Sequence, residues 1–155
     1  KTPLNHHFLS FIIYQILCAV NHLHRENIIH RDLKPENIAI KEEGFHVKVL
    51  DFGLARIYDA SSSHNMTTYV VTRYNLAPEV ILNHEKREEE QVDVWSIGCI
   101  FSELITREVL FQGHDNSSQW DKIVEILGTP SEEFLGRVHQ ESRGFSCFFS
   151  SQQIG

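Results

Sequence analysis

The chain has 155 residues, 41% hydrophobic and 23% charged, a mixture that suits one soluble core, so a single domain or part of one is expected. Its formal net charge of −7 argues against a nucleic-acid-binding surface, because phosphate backbones select for net Lys and Arg. Cys18, Cys99 and Cys147 stand far apart without a C-x-x-C, and no apolar run approaches the roughly 20 residues of a membrane helix, so a disulfide framework, a thiolate zinc site and membrane insertion are all set aside.

The first apolar pattern is helical. Phe8, Ile12, Ile16, Ala19 and Leu23 recur at spacings of four, four, three and four, with Phe11, Tyr14 and Val20 widening the stripe, which predicts a helix over residues 4–24 with one broad buried face. Arg25-Glu26-Asn27 ends it, and Ile28-Ile29 return to the core. The densest polar stretch follows, His30-Arg31-Asp32-Leu33-Lys34-Pro35-Glu36-Asn37. Pro35 has no amide hydrogen and disfavours helix at Lys34, so residues 30–37 are predicted as a loop with side chains free to face a ligand. Residues 37–40 and 46–50 alternate or run apolar around Lys41-Glu42-Glu43-Gly44, the signature of a β-hairpin. Asn37 opens its first strand and Asp51 closes the second, and antiparallel pairing brings their side chains within reach of one metal ion.

From residue 54 to 66 the sequence is polar and loop-like. The run from Glu85 to Glu90 reads as a solvated face. An apolar helix is predicted over residues 92–105, with Val94, Gly98, Phe101 and Ile105 at helical spacing and Trp95 and Leu104 beside them. In the next helix Asn116 or Ser117 is the predicted cap, Trp120, Ile123, Val124 and Leu127 form the inner face, and Gly128 closes it. Thr129-Pro130-Ser131 starts a shorter element holding Phe134, Leu135 and Val138. His6, His7, His22 and His24 are read as surface or capping residues, since no partner set completes a metal site.

Three motifs in order, the loop from His30 to Asn37, then Asp51-Phe52-Gly53, then Ala77-Pro78-Glu79, resemble the lower lobe of a eukaryotic protein kinase. Thr67-Thr68-Tyr69, Val71-Thr72-Arg73-Tyr74 and Leu127-Gly128-Thr129-Pro130 are similar to mitogen-activated protein kinases, most closely the Jun N-terminal, stress-activated branch. The resemblance implies a mainly α fold with a small β-hairpin, the partial C-terminal lobe containing helices E, F and G with the catalytic and activation loops. It covers about residues 4–138, within a partial lobe assigned to 1–138, and leaves 139–155 as a divergent tail.

The resemblance also implies roles. Asp32 corresponds to the catalytic base, Lys34 to the lysine on the γ-phosphate of ATP, and Asn37 and Asp51 to the Mg²⁺ ligands, oxygen donors suited to a hard cation. Thr72 corresponds to the threonine bonded to Asp32 and Lys34. Ala39 and Leu50 match adenine-lining positions, Ala39 being smaller than the branched residue usual there. His30 and Phe52 resemble the lower members of the stacked column between lobes. Gly53 completes the second motif, Glu79 the third, and Asp93 resembles the helix carboxylate that anchors the catalytic loop.

Thr67 and Tyr69 match the dual phosphorylation sites of an upstream dual-specificity kinase, with Arg31, Arg56 and Arg73 as the cations that bind the phosphates. Leu76 departs from the pattern, where these kinases carry an arginine facing the phosphotyrosine. Protein substrates with Ser/Thr-Pro sites, a cytoplasmic location with the nucleus as a second one, and intracellular signalling are implied likewise.

Other parts of the family pattern are missing. No G-x-G-x-x-G, authentic nucleotide lysine or pairing glutamate precedes residue 30, and Ile38-Ala39-Ile40-Lys41 only imitates the lysine motif. The chain starts without Met, so it is expected to begin inside a longer product and to supply half a catalytic cleft. Glu79 is expected to lack its arginine partner, apolar surface to be exposed, and the fragment alone to be inactive. The competing reading is a truncated chain that acts, if at all, as a binding or competitor module.

Overall fold

Asn5 starts the first helix, α1 (His6–Arg25), by accepting the His7 N–H on its side-chain oxygen at 3.0 Å. Arg25 stands in its last turn, where its positive charge complements the helix dipole. The computed structural model describes residues 5–57, 73–82, 90–131 and 133–134. It divides into two units, Lys1–Ser62 with Glu89–Leu110, and Ser63–Glu88 with Phe111–Gly155.

In the first unit, α1 is followed by β1 (Ile28–Ile29), a 3₁₀ turn at Pro35–Asn37, β2 (Ile38–Ile40), β3 (Val47–Val49) and β4 (Arg56–Ile57). The predicted hairpin is present, with Ile38 opposite Val49, Ala39 opposite Lys48 and Ile40 opposite Val47. Its turn runs one residue longer than the sequence reading, because both Gly44 and Phe45 take left-handed backbone, at φ 77° and 52°. Gln15 clips the hairpin to α1: its amide nitrogen donates to the Phe45 carbonyl at 3.0 Å, and its oxygen accepts the Val47 N–H at 3.1 Å. Sequence periodicity gave no sign of β1 and β4, a two-residue antiparallel pair of Ile28 with Ile57 and Ile29 with Arg56.

The core of this unit is Ile12, Ile16 and Val20 of α1, Leu33, and Ile97 and Ile100 of α3 (Gln91–Thr106). Two expectations about faces need correction. Phe11 and Tyr14 do not widen the buried stripe but lie exposed on α1. On α3 the predicted face is the outer one: Val94 is 56%, Phe101 41% and Ile105 54% exposed, and a side chain on Gly98 would meet open space. The inner face is one residue earlier, Asp93, Ile97 and Ile100, with Leu104 packed at its edge. A helix apolar on nearly every side leaves periodicity without a preferred direction. Its rotation is set by Asp93, whose buried carboxylate must face hydrogen-bond donors.

The second unit holds a 3₁₀ turn at Arg73–Asn75, α2 (Pro78–Ile81) and α4 (Asn116–Leu127), with Leu82, Phe111, Trp120, Ile123 and Val124 buried. Phe134 stacks on Trp120 at 6.4 Å and 10° between ring planes. Gly128 ends α4 with φ 87°, its N–H on the Val124 carbonyl, as its position predicted. Leu127 does not continue the inner face and is 60% exposed. The cap is Asp115, one residue before the predicted pair: its carboxylate accepts the Ser118 N–H at 2.8 Å and Ser118 Oγ accepts the Asp115 N–H at 3.0 Å, a reciprocal box.

These bonds to Ser118, helped by Arg73 and His114, hold the Asp115 carboxyl below the usual aspartate range. A depressed folded-state value means that the cap's contribution is whole above the ordinary aspartate pKa of about 3.9 and is lost only as pH falls through the lower, folded value. The Tm difference between wild type and Asp115→Ala should therefore hold constant down to about pH 4 and shrink below it, when followed by circular dichroism.

Candidate active site

The loop from His30 to Asn37 is bound at both ends. Asp93, fully buried on α3, accepts the His30 N–H on Oδ2 at 2.9 Å and the Arg31 N–H on Oδ1 at 2.8 Å. The same Oδ2 meets His24 Nε2 at 2.8 Å. One carboxylate thus ties α1, α3 and the loop backbone together. Arg31 takes the left-handed region at φ 69°, a conformation that an L-residue adopts at a cost and that the Asp93 bonds stabilise.

His30 acts as the second joint. Its Nδ1 accepts the Asp32 N–H at 3.3 Å, which leaves the ring proton on Nε2 to donate to the Leu50 carbonyl at 3.0 Å. The ring meets Phe52 edge to face at 5.1 Å. His30 and Phe52 therefore touch.

Within the loop Asp32 is the centre. Lys34 Nζ donates to Asp32 Oδ2 at 2.8 Å, and Asn37 Nδ2 donates to the same oxygen at 3.0 Å and to the Asp32 carbonyl at 2.8 Å. The Asp32 and Lys34 side chains are only 9% and 19% exposed, so the pair is shielded from solvent screening. The predicted loop contains one short ordered turn, because Pro35 supplies a helix-compatible φ at its start and the Asn37 N–H closes on the Lys34 carbonyl.

Asn37 also joins the hairpin, its carbonyl accepting the Leu50 N–H at 2.8 Å, which sets Asn37 across from the approach to Asp51. Asp51 is left-handed at φ 59° and its Oδ1 accepts the Gly53 N–H at 3.1 Å. A Cβ on Gly53 would lie 3.1 Å from that oxygen, tight for any other residue. The amide nitrogen of Asn37 is committed to Asp32, so the group left for a cation is its oxygen. One amide oxygen and one carboxylate suit Mg²⁺, which takes few protein ligands and fills its shell with phosphate oxygens and water. Among the described residues, no three His, Cys, Asp or Glu side chains converge on a metal position.

Other predicted residues are placed as follows. Ala39 is half-buried in β2 opposite Lys48, and Leu50, which follows β3, is 42% exposed. Arg31 Nη1 donates to the Leu54 carbonyl at 3.3 Å, and Arg56 lies exposed in β4. Arg73 belongs to the second unit, where its Nε donates to Asn116 Oδ1 at 3.2 Å and Nη1 to the His114 carbonyl at 3.4 Å. Glu79 follows Pro78 in the first turn of α2. Thr67, Tyr69 and Thr72 lie outside the described residues.

Sequence reasoning missed two residues. His24 is neither a surface nor a capping residue: its side chain is 10% exposed and directed at Asp93, with Glu90 3.9 Å from its other ring nitrogen. The signal was there, since His24 continues the series Phe8, Ile12, Ile16, Val20 by another four residues. The other is Gln119, fully buried on α4.

This sequence is similar to several curated kinases. It is 51% identical over 142 residues to GLH-binding kinase 1 of Caenorhabditis elegans, covering 92% of this chain and 36% of that protein. It is 49% identical over 140 residues to a stress-activated protein kinase JNK of Suberites domuncula, covering 90% and 37%, and 51% identical over 145 residues to that of Drosophila melanogaster, covering 94% and 38%. The chain thus spans a little over a third of the length of these relatives. Residues 1–149 match the protein kinase domain, a family whose members generally use ATP and Mg²⁺, and with the Asp32 loop and its hairpin in place, the chain belongs to that family.

Proposed function

We propose that the protein carrying this chain is a stress-activated serine/threonine kinase that transfers the γ-phosphate of ATP to Ser or Thr followed by Pro. The observation that carries this reading is the Asp32 carboxylate held at 2.8 Å by Lys34 and 3.0 Å by Asn37 in a loop anchored on Asp93. Similarity to the stress-activated relatives supports it.

Phosphoryl transfer asks little covalent chemistry of a protein and much positioning and charge neutralisation. In this reading Asp32 orients the substrate hydroxyl and accepts its proton as the oxygen bonds to the γ-phosphorus and ADP leaves. Lys34 offers its ammonium to the γ-phosphate, exchanging part of its bond to Asp32 for one to the nucleotide. Mg²⁺, when bound, neutralises the phosphate oxygens, and Asn37 and Asp51 are the residues that would hold it. Ala39 and Leu50 contribute apolar surface to the adenine ring.

Phosphorylation of Thr67 and Tyr69 by an upstream dual-specificity kinase, read by Arg31, Arg56 and Arg73, is the corresponding regulatory proposal. Cytoplasmic and nuclear residence belongs to the same reading. The test is transfer of labelled γ-phosphate to a Ser-Pro peptide and its Ser-Ala counterpart by the longest natural product containing this chain. Mg²⁺-dependent labelling that favours Ser-Pro is expected. No labelling of either peptide after activation by an upstream kinase would overturn the proposal.

A further inference from the structure

The chain leaves α4 on a short exposed run. Gly128 breaks the helix at φ 87° and ψ 176°, and Pro130 holds the residue before it out of the helical region, so residues 128–131 continue without helix or strand. Gly128, Thr129 and Ser131 are all exposed there. Thr129 is the one Ser or Thr among the described residues that precedes a proline. Its hydroxyl makes no hydrogen bond among those residues, whereas Ser131 Oγ is taken up by the Phe134 N–H at 3.2 Å. An unbonded hydroxyl on such a segment can enter an enzyme cleft without any helix having to open.

The same position decides what a phosphate would do. The last carbonyls of a helix lack intrahelical partners and carry the negative end of its dipole. α4 has no basic residue in its last turn, and Lys122, one turn earlier, is already paired with Glu125 at 2.7 Å. A phosphate on Thr129 brings roughly −1.5 to −2 charge to that end, which repels it. What it opposes is the closing bond of the helix, the Gly128 N–H on the Val124 carbonyl at 2.9 Å, and the short segment that carries Phe134 onto Trp120.

We propose that Thr129 is a phosphorylation site for a proline-directed serine/threonine kinase, and that its phosphate loosens the C-terminal end of α4. Thr129 Oγ bonds to the γ-phosphorus of ATP as the bond from that phosphorus to the β-phosphate oxygen breaks. ADP leaves, and the hydroxyl proton passes to the base of the modifying kinase. The donor is either a separate kinase of that class or a second, activated copy of this protein, and only the latter case rests on the proposed function.

The test uses the longest natural product containing this chain, carrying Asp32→Asn so that it does not label itself. One arm adds labelled ATP and the activated wild-type protein, the other labelled ATP and a different proline-directed kinase, and mass spectrometry maps the phosphate. Label on Thr129 is expected, lost in Thr129→Val and lowered about tenfold or more in Pro130→Ala. Both substitutions are on the surface, so the protein folds in either case. In the phosphorylated protein the Gly128 amide should exchange with solvent about two- to fivefold faster, while the amides of α3 hold their rates. Label in the second arm alone supports the site and assigns it to a separate kinase. No label on Thr129 in either arm overturns the site, and unchanged exchange at Gly128 in the labelled protein overturns its effect on α4.

Discussion

Replacing Asp93 by alanine is expected to destabilise the first unit by about 3–5 kcal/mol, a large part of the roughly 5–15 kcal/mol that a domain of this size possesses. The carboxylate is fully buried and receives the N–H groups of His30 and Arg31 together with His24 Nε2. Alanine leaves all three without an acceptor, and buried donors cannot turn to water. Asp93→Asn is the informative partner. It preserves shape and one acceptor oxygen but points an NH₂ at a donor, so it should recover only part of the loss. Chemical denaturation followed by circular dichroism gives both values. Equal stability of Asp93→Ala and wild type would dismiss the anchoring role. His24→Ala, which removes one donor and leaves the two backbone bonds, should cost less than either.

The second large effect is on turnover. On the proposed kinase reading, Asp32→Asn in the longest natural product containing this chain should lower phosphate transfer by about 10²–10⁴-fold, the usual worth of a positioned general base, while stability changes little. The neutral side chain is isosteric and can still accept from Lys34 and Asn37, so the loop geometry of 2.8 and 3.0 Å should survive. The loss should fall on kcat, with KM for ATP nearly constant. A stopped-time assay with labelled ATP on a Ser-Pro peptide decides it. Undiminished turnover in Asp32→Asn would remove Asp32 from the chemistry.

What the sequence revealed, and what it did not, follows the reach of each signal. The loop and hairpin were legible because Pro35, the turn residues 41–44 and the β-branched runs act locally, and the register that sets Asn37 opposite Leu50 follows from the hairpin alone. The rotation of α3 was not legible, since two apolar stripes one residue apart are equally periodic and only the partners of Asp93 choose between them. The cap of α4 moved to Asp115 for a similar reason: Asn116, the better-looking cap, is occupied by Arg73, forty-three residues earlier in the chain. His24 and Gln119 are polar residues whose partners lie at sequence distances of 69 and 45, beyond any local pattern. The pair of β1 and β4 is two residues long, too short for alternation to register.

The left-handed backbone at Arg31 and Asp51 bears on the order in which this unit is built. Each of these L-residues resists that conformation by roughly 1–2 kcal/mol, so neither loop is nucleated by its own sequence. The acceptors that hold Arg31 exist only once α3 stands against α1, and the Asn37 to Leu50 bond beside Asp51 only once the hairpin has closed. We expect helix docking and hairpin closure to come first, with the polar loops setting afterwards, on the native side of the folding barrier. Changes in those loops then register mainly in how fast the unit unfolds and little in how fast it folds.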